Sequence, residues 1–208
     1  MPNLKRMSHV MVDLETWGLT ERSIILSAAF VYCDEEWNEI DFVRVNFDTK
    51  IQEEQYKRTK DKSTLEWWEQ QNPAIYKLNL IEPKDPKDAL YKLFTPFHEM
   101  KRKRDFLWWG NSAIFDLLKI NSLSNDAFIM FDMMEYYSID EYKMRCYKTT
   151  RDIFRDYYRI KEDYQLVTHD PLDDARAQVS FMRKVFLEGK KLQDMQLKSL
   201  RPPTSRIF

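Results

Sequence analysis

The sequence predicts an α/β fold: one mixed sheet of five strands, the first three antiparallel, flanked by helices on both faces. Two observations predict it. Three apolar, β-branched runs crowd the first fifty residues and are joined by brief polar links. Beyond them, segments of helical period alternate with two further strand-like runs. A length of 208 residues suits one domain with a full core. That domain is assigned to residues 1–197, and residues 198–208, with Pro202 and Pro203, to a loose tail.

The elements follow in order. Residues 8–15 carry Val10, Met11, Val12 and Leu14, and Thr16, Trp17, Gly18 and Leu19 then punctuate the strand. Residues 24–33 are a second apolar run, which Asp34, Glu35, Glu36 and Asn38 end as a turn. Residues 39–47 place Ile40, Phe42, Val43, Val45 and Phe47 on a third strand, and the short links predict a meander. Residues 63–71 open with Ser63 and Glu66 at capping-box spacing. Residues 85–100 repeat Leu90, Leu93, Phe94 and Phe97 at helical spacing. Residues 106–109 form a short strand ending at Gly110, with Trp108 and Trp109 alternating into the core. Residues 125–137 and 152–160 read as helices and 142–147 as a strand. Residues 171–188 are a final helix, with Ala175, Val179, Met182 and Phe186 on one face and Gly189 at its end. In such a sheet the site sits where strand ends converge.

Composition excludes several classes. An apolar content of 43% with three glycines and eight prolines excludes a disordered or low-complexity chain. No apolar run approaches the roughly 18 residues of a membrane helix. Two cysteines, Cys33 and Cys146, fit neither a metal finger nor a disulfide framework. With no secretory stretch after Met1, this predicts a reducing, cytoplasmic setting and no membrane partner. A net charge of −1 argues against a protein that lives on non-specific phosphate affinity. Two basic clusters stand out: Lys57, Arg58, Lys60 and Lys62, then Lys101, Arg102, Lys103 and Arg104. Both read as solvated loops, and the first could also guide a nucleic-acid strand. Near-neutral charge and abundant aromatics allow a homodimer.

The chemistry lies in acids that do not suit their surroundings. Asp13 and Glu15 end an apolar strand two residues apart, so they share one face. Two adjacent carboxylates at a buried strand end call for a divalent cation such as Mg²⁺ or Mn²⁺, unless that end reaches solvent. Asp116 follows the Trp109 strand, where an acid serves as a ligand or as a helix cap. His169 precedes the last helix, Asp170 and Pro171 open it, and Asp174 lies beside its packed face.

In this order the motifs resemble the DEDDh 3′–5′ exonucleases: Asp13-Leu14-Glu15-Thr16-Trp17-Gly18, then Gly110 to Asp116, then His169 to Asp174. Residues 63–68, with Arg151, Asp152 and Ile153, resemble the phage exonuclease A and exoribonuclease-like branch. The similarity covers residues 8–188 and departs at Phe154-Arg155, where that branch often carries Arg-Thr. It implies an RNase H-like fold and a bacterial or phage-infected host cytoplasm. It also implies hydrolysis from the 3′ end of a nucleic acid to nucleoside 5′-monophosphates. Asp13, Glu15, Asp116 and Asp174 would hold two divalent ions, Mg²⁺ or Mn²⁺, with Asp13 bridging them and His169 as general base. Thr16, Trp17, Gly18, Leu19, Trp67, Trp68, Asn111, Phe115 and Arg151 are the implied substrate contacts. Adjacent Trp67 and Trp68 divide between core and site. DNA is favoured over RNA as substrate. The alternatives are an exoribonuclease on the same site, a catalytically silent nucleic-acid-binding module, and a structural protein whose acids merely cap elements.

Overall fold

The computed structural model describes residues 7–98, 106–128, 137–162 and 168–199. Five strands form one sheet: β1 (His9–Thr16), β2 (Ile25–Cys33), β3 (Glu39–Asn46), β4 (Leu107–Gly110) and β5 (Met144–Cys146). Their spatial order is β3-β2-β1-β4-β5. β1 pairs antiparallel with β2, and β2 with β3, while β1–β4 and β4–β5 are parallel. The predicted mixed sheet and antiparallel meander are therefore present.

Seven α-helices are described: α1 (Thr49–Glu54), α2 (Lys62–Glu69), α3 (Pro73–Leu78), α4 (Pro86–His98), α5 (Leu118–Phe128), α6 (Tyr147–Tyr158) and α7 (Pro171–Ser199). β1 is central, and its unbroken apolar run is explained by helices on both faces. Val10, Val12 and Leu14 pack with Phe30, Leu90, Phe94, Ile120 and Leu123, the side of α4 and α5. Met11 packs with Val31, Trp109, Ala175, Val179 and Met182, the side of α7. Trp108 joins the first cluster and Trp109 the second, as strand alternation requires.

Several element ends differ from the sequence expectations. The Ser63–Glu66 capping box does not form, because α2 starts at Lys62 with Asp61 as its N-cap residue. Asp61 makes no cap bond either; its Oδ2 accepts from the Leu19 amide at 2.9 Å. α5 begins at Leu118, out of a π-helical turn at Ala113–Leu117, rather than at residue 125. Of the expected helix 125–137, residues 129–136 lie outside the described residues. α6 starts at Tyr147, so β5 is shorter than expected and Glu141–Lys143 is a 3₁₀ turn. α7 runs through Gly189 to Ser199, past the expected boundary at residue 197. An interior glycine costs a helix only about 1 kcal/mol, which the flanking lysines and leucines tolerate. The remainder of the expected tail, residues 200–208, and the cluster Lys101–Arg104 lie outside the described residues. The short helices α1 and α3 were not expected. None of the described helices is long and apolar enough to cross a membrane.

Candidate active site

The acids converge at the C-terminal end of β1. Period two turns Asp13 and Glu15 to the α7 face, and Gln178 of α7 reaches Asp13: its Nε2 donates to Oδ1 at 2.8 Å. Asp116 comes from the π-helical turn after β4. Its Oδ2 accepts from the Ser112 amide at 2.9 Å, so the cap role and the site role coincide. Gly110 permits this approach, since a Cβ there would stand 2.8 Å from the Asp116 Cβ.

The third segment is organised by local bonds. Asp170 accepts from the amides of Leu172 and Asp173 and so caps α7. Arg44 of β3 pairs with the Asp170 carboxylate at 2.9 Å and anchors the helix start to the sheet. Asp174 turns back, accepting from the Thr168 amide at 2.8 Å and the His169 amide at 3.1 Å. These bonds hold His169 in the left-handed region at φ 57°. Asn79 donates to the His169 carbonyl at 2.8 Å, which fixes the residue from the other side. The imidazole Nδ1 then lies 3.9 Å from Glu15 Oε1. The Trp67 ring stands edge-on to the imidazole at 4.7 Å.

Burial dominates the electrostatics. Asp13 and Glu15 are 7% and 8% exposed, and Asp116 is 2% exposed. Burial, then repulsion from Asp116, Glu15 and Asp174, raises the Asp13 pKa well above the ordinary value. Burial, then repulsion from Asp174, Asp116 and Asp170, pushes Glu15 up to about 8. Burial alone raises Asp116, to about 7, against hydrogen bonds from Ser112 and Asn111 and the nearby Lys119 charge. Asp174 is raised by burial as well. Such a cluster binds protons or cations in place of its lost water. Glu15, His169 and Asp174 offer ligand atoms that all lie within 4.8 Å of one another. The two carboxylates of that group suit a divalent cation, and the imidazole stands beside them within reach of a water held there. Gln178 Oε1, buried without a hydrogen-bond partner, adds a further oxygen beside Asp13.

Residues 8–186 match the model of the 3′–5′ exoribonuclease Rv2179c-like domain. The chain belongs to that family. No curated protein sequence matches it. Among solved structures, exonuclease I from Methylocaldum szegediense superposes at a TM-score of 0.58 with 14% identity, over 84% of this chain and 39% of that one. A zinc-bound E. coli exonuclease I–ssDNA complex gives 0.58 at 12% identity, over 91% and 42%. The nuclease domain of 3′hExo, a DEDDh family member bound to rAMP, gives 0.54 at 12% identity, over 87% and 92%. The chain thus spans about two-fifths of the exonuclease I structures it matches and nearly all of the 3′hExo domain. The family model carries the 3′–5′ exoribonuclease description, and the solved structures share this chain's fold.

One cleft gathers most of the residues that the sequence pointed to. Thr16, Leu19, Trp67, Trp68, Asn111 and Phe115 line it together with Asp13, Glu15, Asp116, His169 and Asp174. The adjacent tryptophans divide as alternation on a helix predicts: Trp68 is 2% exposed and Trp67 38%. Trp68 Nε1 donates to the Thr16 carbonyl at 2.9 Å, bracing the end of β1.

Three residues expected at the substrate lie outside the cleft lining. Trp17 packs with Ile24, Leu26 and Trp68, and its Nε1 donates to the Tyr76 hydroxyl at 3.0 Å. Gly18 serves close packing, because a Cβ there would meet Asp61 Oδ2 and Ser23 Oγ at 2.6 Å. Arg151 pairs with Asp152 at 3.0 Å and stands 3.9 Å from Glu162. At the departure from the family pattern, Phe154 packs on the α7 cluster and Arg155 pairs with Asp152 at 3.0 Å. The cluster after Lys57 is engaged elsewhere. Arg58 is buried against Asp126, Lys60 pairs with Glu53, and Lys62 reaches Glu66.

Other site residues were missed. Gln178 follows Asp174 by one helical turn, a spacing that could have found it. Leu14, Ser63, Thr64, Ser112 and Lys148 complete the lining; all but Lys148 fall within segments the sequence singled out, without a role at the site. Lys119, fully buried, donates from Nζ to the Gly18 carbonyl at 2.8 Å. Burial lowers its pKa to about 8, so it is a cation at neutral pH.

Proposed function

We propose that this cleft removes nucleotides one at a time from the 3′ end of single-stranded RNA, releasing nucleoside 5′-monophosphates. The observation that carries this reading is the meeting of Asp13, Glu15, Asp116, Asp174 and His169 in one cleft of a chain from a 3′–5′ exoribonuclease family. The family description favours RNA, where the sequence alone favoured DNA.

Asp13, Glu15, Asp116 and Asp174 would hold two divalent cations, Mg²⁺ or Mn²⁺. Bound there, such ions supply Lewis-acid stabilisation of the phosphoryl charge and favour ionised water as nucleophile. Asp13, whose carboxyl feels the charges of Asp116, Glu15 and Asp174, would contribute to holding both. His169 accepts the proton of the attacking water. Its left-handed backbone, locked by Asp174 and Asn79, aims the imidazole into the cleft beside Glu15. Trp67 backs that ring. Leu19, 74% exposed, and Phe115 offer apolar surfaces on which the terminal base stacks.

A gel time course on 5′-labelled single-stranded RNA and matched DNA tests the reading. The arms are Mg²⁺, Mn²⁺, EDTA, and Asp174→Ala. A ladder shrinking from the 3′ end, fastest on RNA and lost with EDTA and in the variant, is the expected result. A faster DNA ladder would return the substrate to DNA. Binding without shortening of either strand would make the protein a silent binding module.

A further inference from the structure

Lys119 is a buried cation that the chemistry above does not use. It is fully buried, and only the charges of Asp116 and Asp61, beyond direct ion-pair contact among the described residues, favour its cation. Burying an ammonium without a paired acid is costly, and a methionine would fill similar volume at no such cost. Its contacts are specific. Nζ donates to the Gly18 carbonyl at 2.8 Å and lies over the Phe115 ring, 3.9 Å from the centroid. Lys119 follows Phe115 by four residues and Asp116 by three, so all three share one side of the helical turn. Gly18 directly precedes Leu19, the exposed residue at the cleft lip. The ammonium therefore bridges two segments a hundred residues apart, the 16–19 turn after β1 and the turn carrying Phe115 and Asp116.

We propose that Lys119 is a positioning residue that clamps these two segments and sets the gap between Leu19 and Phe115 into which the terminal base fits. The clamp has a hydrogen-bonded end on the Gly18 carbonyl and a cation–π end on Phe115. Thr16 Oγ1 also donates to the Gly18 carbonyl, at 2.8 Å, so removing the ammonium leaves that oxygen satisfied. The turn then keeps its fold but loses its tie to Phe115. The inference rests on the reading that this cleft takes a 3′-terminal nucleotide.

Lys119→Met and Lys119→Gln test it, by melting temperature, by amide exchange over residues 17–19, and by kinetics on two oligonucleotides. One oligonucleotide ends in a normal 3′ nucleotide, the other in an abasic one. Expected are a melting temperature at or above that of the wild type and at least tenfold faster amide exchange at 17–19. With the normal end, KM rises about tenfold and kcat stays within threefold; with the abasic end, variant and wild type behave alike. Glutamine, which can still donate to Gly18, restores the exchange protection but not KM. Equal losses on both ends, unchanged exchange in Lys119→Met, or loss of the folded state in both variants would each overturn the clamp. A wild type that shortens neither oligonucleotide refutes the exonuclease reading instead, while the exchange data still decide the clamp.

Discussion

Replacing Glu15 by glutamine should stabilise the metal-free protein at alkaline pH while removing its function. The Glu15 carboxyl, ordinarily near 4.5, is pushed up to about 8 in the folded chain. Between those values the folded state holds a proton that the unfolded state has lost. Stability therefore falls as pH rises through this window. The gap is about 3.5 pH units, or at most about 5 kcal/mol at 1.36 kcal/mol per unit. Part of it is repulsion shared with Asp174 and Asp116, so about 2–3 kcal/mol is assigned to Glu15 itself. Glutamine has nothing to ionise and nearly the same shape. In EDTA at pH 8 the melting temperature of Glu15→Gln should exceed that of the wild type by about 5–10 °C, at 2–4 °C per kcal/mol for a chain of this size. At pH 5 the gap should shrink to about 1–2 °C. Mn²⁺ at about a thousandfold excess over Kd should invert the order, because the ionised wild-type cluster then gains about 4.1 kcal/mol. Scanning calorimetry across pH, with and without metal, measures all of this. Parallel pH profiles for the two proteins in EDTA would refute the burial argument. An undiminished metal-induced shift in Glu15→Gln would refute the placement of the cations.

Three further predictions rest on single contacts. His169→Ala should lower kcat by about 10²–10⁴-fold with little change in melting temperature, and a fully active variant would place the general base elsewhere. Trp68→Ala should cost about 3–5 kcal/mol in denaturant unfolding, since it empties a buried site and frees the Thr16 carbonyl; Trp67→Ala should spare the fold and weaken oligonucleotide binding in anisotropy titrations. Gly110→Ala drives a methyl against Asp116, so a loss of about 1–3 kcal/mol with weakened metal binding is expected, and calorimetric titration with Mn²⁺ would expose a variant that binds normally.

How much of the site was legible depends on how far apart its partners lie. The Trp67–Trp68 pair shows the limit: adjacency on a helix guarantees different directions, but only the position of α2 against β1 decides that Trp68 is the buried one. Trp17 shows the same limit from the other side. It follows the acids closely in sequence, yet Tyr76 and the small cluster around Ile24 draw its indole away from the cleft lining. Lys119 was invisible because buried lysines are rare and nothing local announces one. The capping box at Ser63 failed because α2 starts at Lys62, which puts Ser63 inside the first turn rather than at the N-cap position.

The sequence by itself determined what short-range geometry controls. Period two puts Asp13 and Glu15 on one face of β1 wherever that strand lies. Spacing at the start of α7 lets Asp170 cap and Asp174 bind the backbone of Thr168 and His169. Unbroken apolar runs required a sheet covered on both sides. Only the tertiary structure decided that Asp116 swings in over Gly110, that Gln178 meets Asp13 across 165 residues, and that Lys119 reaches the Gly18 carbonyl. These contacts arise from packing α5 and α7 on opposite faces of one sheet, a many-body compromise that residue spacing does not encode.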